Sequence, residues 1–130
     1  MFQMIVAAIS GTDTTGAGAM TANWANISAS SDTGISEIVS STVTFAGGGS
    51  RTLEFAHDIR FGSLYVKVDS GAYVLASTGY TKAVTTGQVV YLKYICYYQD
   101  ESATLTITDN SGPTLVDTVT LVFNFTGVPP

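Results

Sequence analysis

The sequence predicts an all-β fold, a two-sheet antiparallel β-sandwich of about seven strands with an N-terminal extension. Apolar residues alternate with polar ones from Ile35 onward, the period of a strand with one face in a core. These runs recur about every 8–12 residues and are broken by Gly, Asn and Asp turn residues. No helical period with capping residues is sustained anywhere. Composition agrees: of 130 residues 45% are hydrophobic and 12% charged, and Ser and Thr make up about a quarter. Such a chain has a hydroxyl-rich, weakly charged surface, suits one domain, and is too apolar for disorder.

Each element follows from its residues. Residues 38–45 place Val43 and Phe45 on one face and Thr42 and Thr44 on the other, and glycines 47–49 end the run. Residues 51–56 turn Leu53 and Phe55 inward. In 63–68, Leu64, Val66 and Val68 share a face while Tyr65 and Lys67 share the opposite one. Residues 69–72 form a turn, and 73–76 return as the second strand of a hairpin. The longer run 88–98 is apolar or aromatic on both faces. That suits a central strand covered on both sides, or one face in the core and one in a contact. Residues 103–108 lead into a turn at 109–113, and 116–125 close the domain with Val119, Leu121, Phe123 and Phe125 facing in.

The first 34 residues differ. Residues 2–9 are apolar, and 10–34 are rich in Gly, Ala, Ser and Thr with no Lys, Arg or Glu; Met20, Trp24 and Ile27 are their large apolar anchors. This divides the chain into a docking arm, 1–34, and a sandwich, 35–130. The competing reading makes 2–9 the first strand of the sandwich and sets Trp24 over its core. No basic residue precedes the apolar start, which reads as an unprocessed intracellular product. No stretch nears the ~20 apolar residues that span a bilayer, so no membrane partner is expected. Cys96 alternates with Tyr94 and Tyr98 in an apolar run and reads as a buried small hydrophobe.

A net charge of -5 and a pI near 4.4 exclude a phosphate backbone as partner. His57 is the one histidine available as a general base. Its neighbour Asp58 points the other way on an extended chain, so the two form no base and orienting carboxylate. Asp100 and Glu101 read as solvated charges in a polar turn. No nucleophile, phosphate-loop or metal-ligand spacing is found. The reading is therefore no enzyme, no cofactor and no metal. Binding candidates are the apolar side chains of the arm, Phe2, Met4, Val6, Met20 and Trp24, together with Tyr91 and Tyr97. Tyr94 and Tyr98, on the Cys96 face, are assigned to packing.

The succession 41–45, 65–73 (Tyr-Val-Lys-Val-Asp-Ser-Gly-Ala-Tyr), 84–94, 102–108 (Ser-Ala-Thr-Leu-Thr-Ile-Thr) and 117–121 resembles the immunoglobulin and fibronectin-type β-sandwich repeats of phage virion and bacterial surface proteins. The resemblance covers roughly residues 41–122. It implies an immunoglobulin-like sandwich without catalytic residues. It also implies a non-enzymatic virion protein, a capsid decoration (cement) or short head-fibre subunit, assembled in the host cytoplasm and located on the virion. Its partners would be the major capsid protein or another virion protein, in a homo-oligomer or multicopy array, through largely uncharged contacts. The alternative is a carbohydrate-binding or host-adhesion module on a virion tail or cell surface, with exposed tyrosines stacking on a glycan.

Overall fold

The computed structural model describes residues 2–10, 20–29, 34–97, 101–110 and 114–127, with the backbone alone at 2–10, 29, 114 and 123–127. These residues form β1 (Phe2–Ser10), β2 (Met20–Thr21), β3 (Trp24–Ala29), β4 (Ile35–Ser40), β5 (Thr44–Phe45) and β6 (Ser50–His57). Then follow β7 (Gly62–Val68), β8 (Val74–Leu75), β9 (Tyr80–Thr85), β10 (Val90–Cys96), β11 (Glu101–Asp109) and β12 (Thr114–Gly127). The first sheet runs β1-β12-β11-β6-β9, the second β3-β4-β10-β7-β8, and β2 pairs with β5. Every pairing is antiparallel. The all-β antiparallel sandwich is the fold the alternation predicts.

One hydrophobic cluster fills the space between the sheets. The first sheet contributes Leu53, Phe55, Leu105, Ile107, Val119 and Leu121; the second contributes Ile38, Leu64, Val66, Leu92, Tyr94 and Cys96. Each fully buried aliphatic or aromatic side chain stabilises the fold by about 1.5–3 kcal/mol relative to exposure. A polar tie crosses the same layer: Trp24 on β3 donates its indole N–H to Asp117 Oδ2 on β12 at 2.7 Å, and Asp117 Oδ1 accepts from the Thr118 N–H at 2.8 Å. Trp24 is 8% exposed and Met20 2%.

The strand count exceeds the expected seven for two physical reasons. Three strands show no period: β2 and β5 have two residues each, and in β9 Val84 alone is buried. The others lie in the first 34 residues, where β1 pairs with β12 from Phe2↔Gly127 to Ser10↔Val119 and β3 pairs with β4. The segment read as an arm thus supplies edge strands to both sheets, and Met20 and Trp24 sit in the core instead of on a surface for a partner. The run 38–45 is also broken. After Ser40 the backbone leaves β4, and Val43 bonds the turn that precedes β10, its N–H to Gln88 O and its C=O to the Gly87 N–H, both at 2.8 Å.

Two glycines let the backbone pass close to β10. A Cβ on Gly34 would lie 2.1 Å from the Cys96 carbonyl oxygen, and one on Gly62 would lie 2.2 Å from that of Ile95. Gly34 also has φ +72°, a conformation costly for any residue with a Cβ. Close approach here carries β4 and β7 alongside β10, the strand that builds the site below.

Candidate functional site

Alternation along β10 sends Val90, Leu92, Tyr94 and Cys96 into the core and leaves Tyr91, Lys93 and Ile95 half-buried on the outer face of the second sheet. On β7, Leu64 and Val66 face in, and Ser63, Tyr65 and Lys67 face out. Both strands carry the tripeptide Tyr-x-Lys, Tyr65-Val66-Lys67 and Tyr91-Leu92-Lys93. Antiparallel register sets Lys67 opposite Tyr91 and Lys93 opposite Tyr65, so each lysine lies across from a tyrosine of the neighbouring strand. Two rows result across the face. One holds Glu37, Lys93, Tyr65 and Leu75; the other holds Val39, Tyr91 and Lys67.

The ammonium groups lie on aromatic rings. Lys67 Nζ is 4.4 Å from the Tyr91 ring centroid and 4.8 Å from that of Tyr73. Lys93 Nζ is 4.7 Å from Tyr73 and 5.0 Å from Tyr65. Each such contact contributes about 0.5–1 kcal/mol at a partly exposed site. Tyr73, just before β8, is the hub of the arrangement. Its hydroxyl donates to Glu37 Oε2 at 3.2 Å, and Ser28 Oγ donates to Glu37 Oε1 at 2.9 Å. Burial, with the charge and hydrogen bond of Glu37 adding to it, pushes the Tyr73 hydroxyl up to about 12. At the rim, Tyr97 is 56% exposed, and its hydroxyl and Ser63 Oγ share a hydrogen bond of 2.6 Å. Val74 and Leu75 are also exposed. Ring faces, two ammoniums and an apolar rim suit the docking of another molecule.

A second polar centre lies beneath. Glu101 is 8% exposed and accepts from the backbone N–H groups of Arg60 at 2.5 Å and Phe61 at 3.1 Å and from the Tyr94 hydroxyl at 2.5 Å. Burial first, and then this bond to Glu101, push the Tyr94 hydroxyl well above the usual tyrosine range. The reading of Glu101 as a solvated turn charge is corrected: it begins β11 as an internal brace that fixes residues 60–61, and Asp100 lies outside the described residues.

His57 separates two clefts of about 270 and 320 Å³. It ends β6 and donates Nε2–H to the Ala76 carbonyl at 2.8 Å, while Asp58 Oδ1 accepts the Thr104 N–H at 2.7 Å. The two side chains therefore serve separate backbone groups and make no catalytic pair. Among the described residues no group of three or more His, Cys, Asp or Glu side chains is placed to hold a metal.

Of the binding candidates, Tyr91 belongs to the lysine lattice, Tyr97 to its rim, and Met20 and Trp24 to the core. Phe2, Met4 and Val6 occupy alternate positions on β1, opposite Gly127, Phe125 and Phe123, and their side chains lie outside the described set, as do those of Tyr98, Phe123 and Phe125. Lys67, Lys93, Tyr65, Tyr73 and Glu37 escaped selection by sequence. The repeated Tyr-x-Lys on two neighbouring strands was the signal that could have found four of the lattice residues.

No protein-family model matches this chain, and no curated protein matches it. Among solved structures, a conjugative transposon lipoprotein from Bacteroides eggerthii DSM 20697 is similar, with 16% sequence identity and a TM-score of 0.50 over 79% of this chain and 95% of that one. At that identity the likeness concerns the fold. The structure it brings forward is a transposon lipoprotein and not a virion protein. The expectation of a capsid decoration or head-fibre subunit located on a virion is corrected on this finding, as is the virion-tail placement of the carbohydrate-binding or host-adhesion alternative.

Proposed function

We propose that this chain is a non-enzymatic binding module of a bacterial cell envelope, an immunoglobulin-like sandwich that holds a protein partner on the outer face of β4-β10-β7-β8. The observation that carries this reading is the tyrosine and lysine lattice. It gathers Tyr65, Tyr73 and Tyr91 with two of the chain's five basic residues on one sheet face. Tyrosine supplies contact area at low conformational cost, which is why partner surfaces are enriched in it. The shared fold with a transposon lipoprotein supports an envelope setting. Within these 130 residues the one thiol, Cys96, is 1% exposed. Any hold on the envelope that they provide therefore runs through a surface and not through a thioether.

Photo-crosslinking in the organism that encodes the chain tests this. A benzophenone amino acid at position 91 or 75 should join the chain, recovered with the envelope fraction, to one defined protein. The same group at Thr104, exposed on the first sheet, should not. Recovery in the cytosol, or equal crosslinking from all three positions, would remove the proposal.

A further inference from the structure

We infer that the partner presents an acidic strand to this face, an extended segment with carboxylates at alternate positions. The inference rests on the docking reading above and adds the chemistry of what docks. An ammonium has three donors, and a ring face attracts its charge without satisfying them as a carboxylate would. Lys67 and Lys93 are held on rings, and among the described residues neither forms an ion pair. Glu37, the acid on the same face, is already engaged by the hydroxyls of Ser28 and Tyr73. The cross-strand neighbour of Lys93 is thus held by Ser28 and Tyr73 without pairing with either lysine, and both ammoniums keep donors for an anion from outside.

Spacing selects the form of that anion. Lys67 and Lys93 are diagonal neighbours on an antiparallel pair, a relation that sets the two residues about 7–8 Å apart, with their Cβ atoms somewhat closer. Both ammoniums also lie within 4.8 Å of the one Tyr73 centroid. Side chains at i and i+2 of a strand point to one side about 6.6–6.8 Å apart, so successive outward carboxylates of an extended segment match the two charges. The residues between them would face away. Leu75, 52% exposed at the end of the Lys93 row, offers an apolar stop beside the charged pair. The chain as a whole carries -5, so an acidic segment is repelled elsewhere and drawn to this patch.

The test uses the full chain and a fluorescent dodecapeptide of alternating Asp and Thr, read by anisotropy. Binding should saturate, and the peptide with Asn for every Asp should bind at least ~10-fold more weakly. Lys67→Gln and Lys93→Gln should each weaken binding by ~3–10-fold and together abolish it, while each lowers the midpoint of thermal unfolding by only a few degrees as its ring contacts are lost and leaves the chain fully folded at the temperature of the assay. Lys82→Gln, on β9 of the other sheet, should have no effect. Raising salt from about 0.05 to about 0.5 M should weaken binding several-fold. Equal binding of the Asn peptide, no binding of the Asp peptide, or tighter binding of polygalacturonate or of phosphatidylglycerol vesicles would overturn the inference. If the peptide fails while crosslinks from position 91 persist, the acidic chemistry falls and the docking face stands; if both fail, the docking reading falls too.

Discussion

Replacing Glu101 by alanine strips the acceptor from three donors at once, the N–H groups of Arg60 and Phe61 and the hydroxyl of the fully buried Tyr94. A hydrogen bond to a charged group contributes about 1.5–3 kcal/mol, and a buried donor left unpaired costs about 1–3 kcal/mol. Water reaching the 60–61 backbone recovers part of this, which leaves a loss of about 3–5 kcal/mol. Glutamine is a different case. Its amide oxygen can still accept from both backbone N–H groups, and its NH₂ can donate to the Tyr94 oxygen, so Glu101→Gln loses charge assistance and the acceptor of the Tyr94 O–H alone, about 1–2 kcal/mol. Urea unfolding followed by the fluorescence of Trp24, the chain's one tryptophan, reads both variants against the parent. Alanine within about 1 kcal/mol of the parent, or glutamine as damaging as alanine, would refute the reasoning that orphaned donors set the cost.

Other outcomes are accessible to similar measurements. Gly34→Ala and Gly62→Ala should each destabilise by about 3 kcal/mol or more, because the new Cβ meets a backbone carbonyl that cannot yield. Gly47→Ala, in open space at φ +82°, should lose only about 1 kcal/mol in the same urea titration. Tyr73 keeps its proton more tightly in the fold than in the unfolded chain. Its contribution is therefore whole below pH 10 and fades as pH rises from 10 to about 12. Tyr73→Phe should flatten stability against pH in that window and leave the dependence at neutral pH unchanged. Cys96, 1% exposed, should resist a thiol reagent in the native state and react at the rate of opening, so labelling in increasing urea should track unfolding; prompt reaction in buffer would contradict its burial.

Period-two alternation revealed the strands that have one face in the core and enough length to show it. Leu53 and Phe55, Leu64 and Val66, and Val119 and Leu121 were placed correctly by that rule alone. It did not reveal β9, where Thr81, Lys82 and Ala83 are all exposed and only Val84 is buried, because an edge strand with little core contact has no alternation to display. Nor did it reveal that Trp24 joins the sheets, since the partner Asp117 lies 93 residues away. The outward position of Tyr91 was legible from the parity of its strand. The lattice around it was not, because register decides which tyrosine meets which lysine, and register depends on turns and pairings that one strand does not encode. Glu101 was misread for a related reason: a charged residue beside a turn is ordinarily solvated, and here the chain wraps three donors around it from residues 60, 61 and 94.

The pairing of β1 with β12 also has a temporal side. Within these 130 residues the first strand hydrogen-bonds to the last, Phe2 beside Gly127. At about 5–20 residues per second, the apolar segment 2–10 waits roughly ten seconds for its neighbour. During that interval it is an unpaired, aggregation-prone ribbon, and the first sheet lacks the strand that ends it. Because Phe2 and Gly127 are side by side, a circular permutant that joins them by a short linker and opens the chain in the 69–72 turn turns the most distant pairing into a hairpin. Such a permutant should fold faster and yield more soluble protein, so the pace of folding here is set by the order of synthesis as well as by the sequence itself.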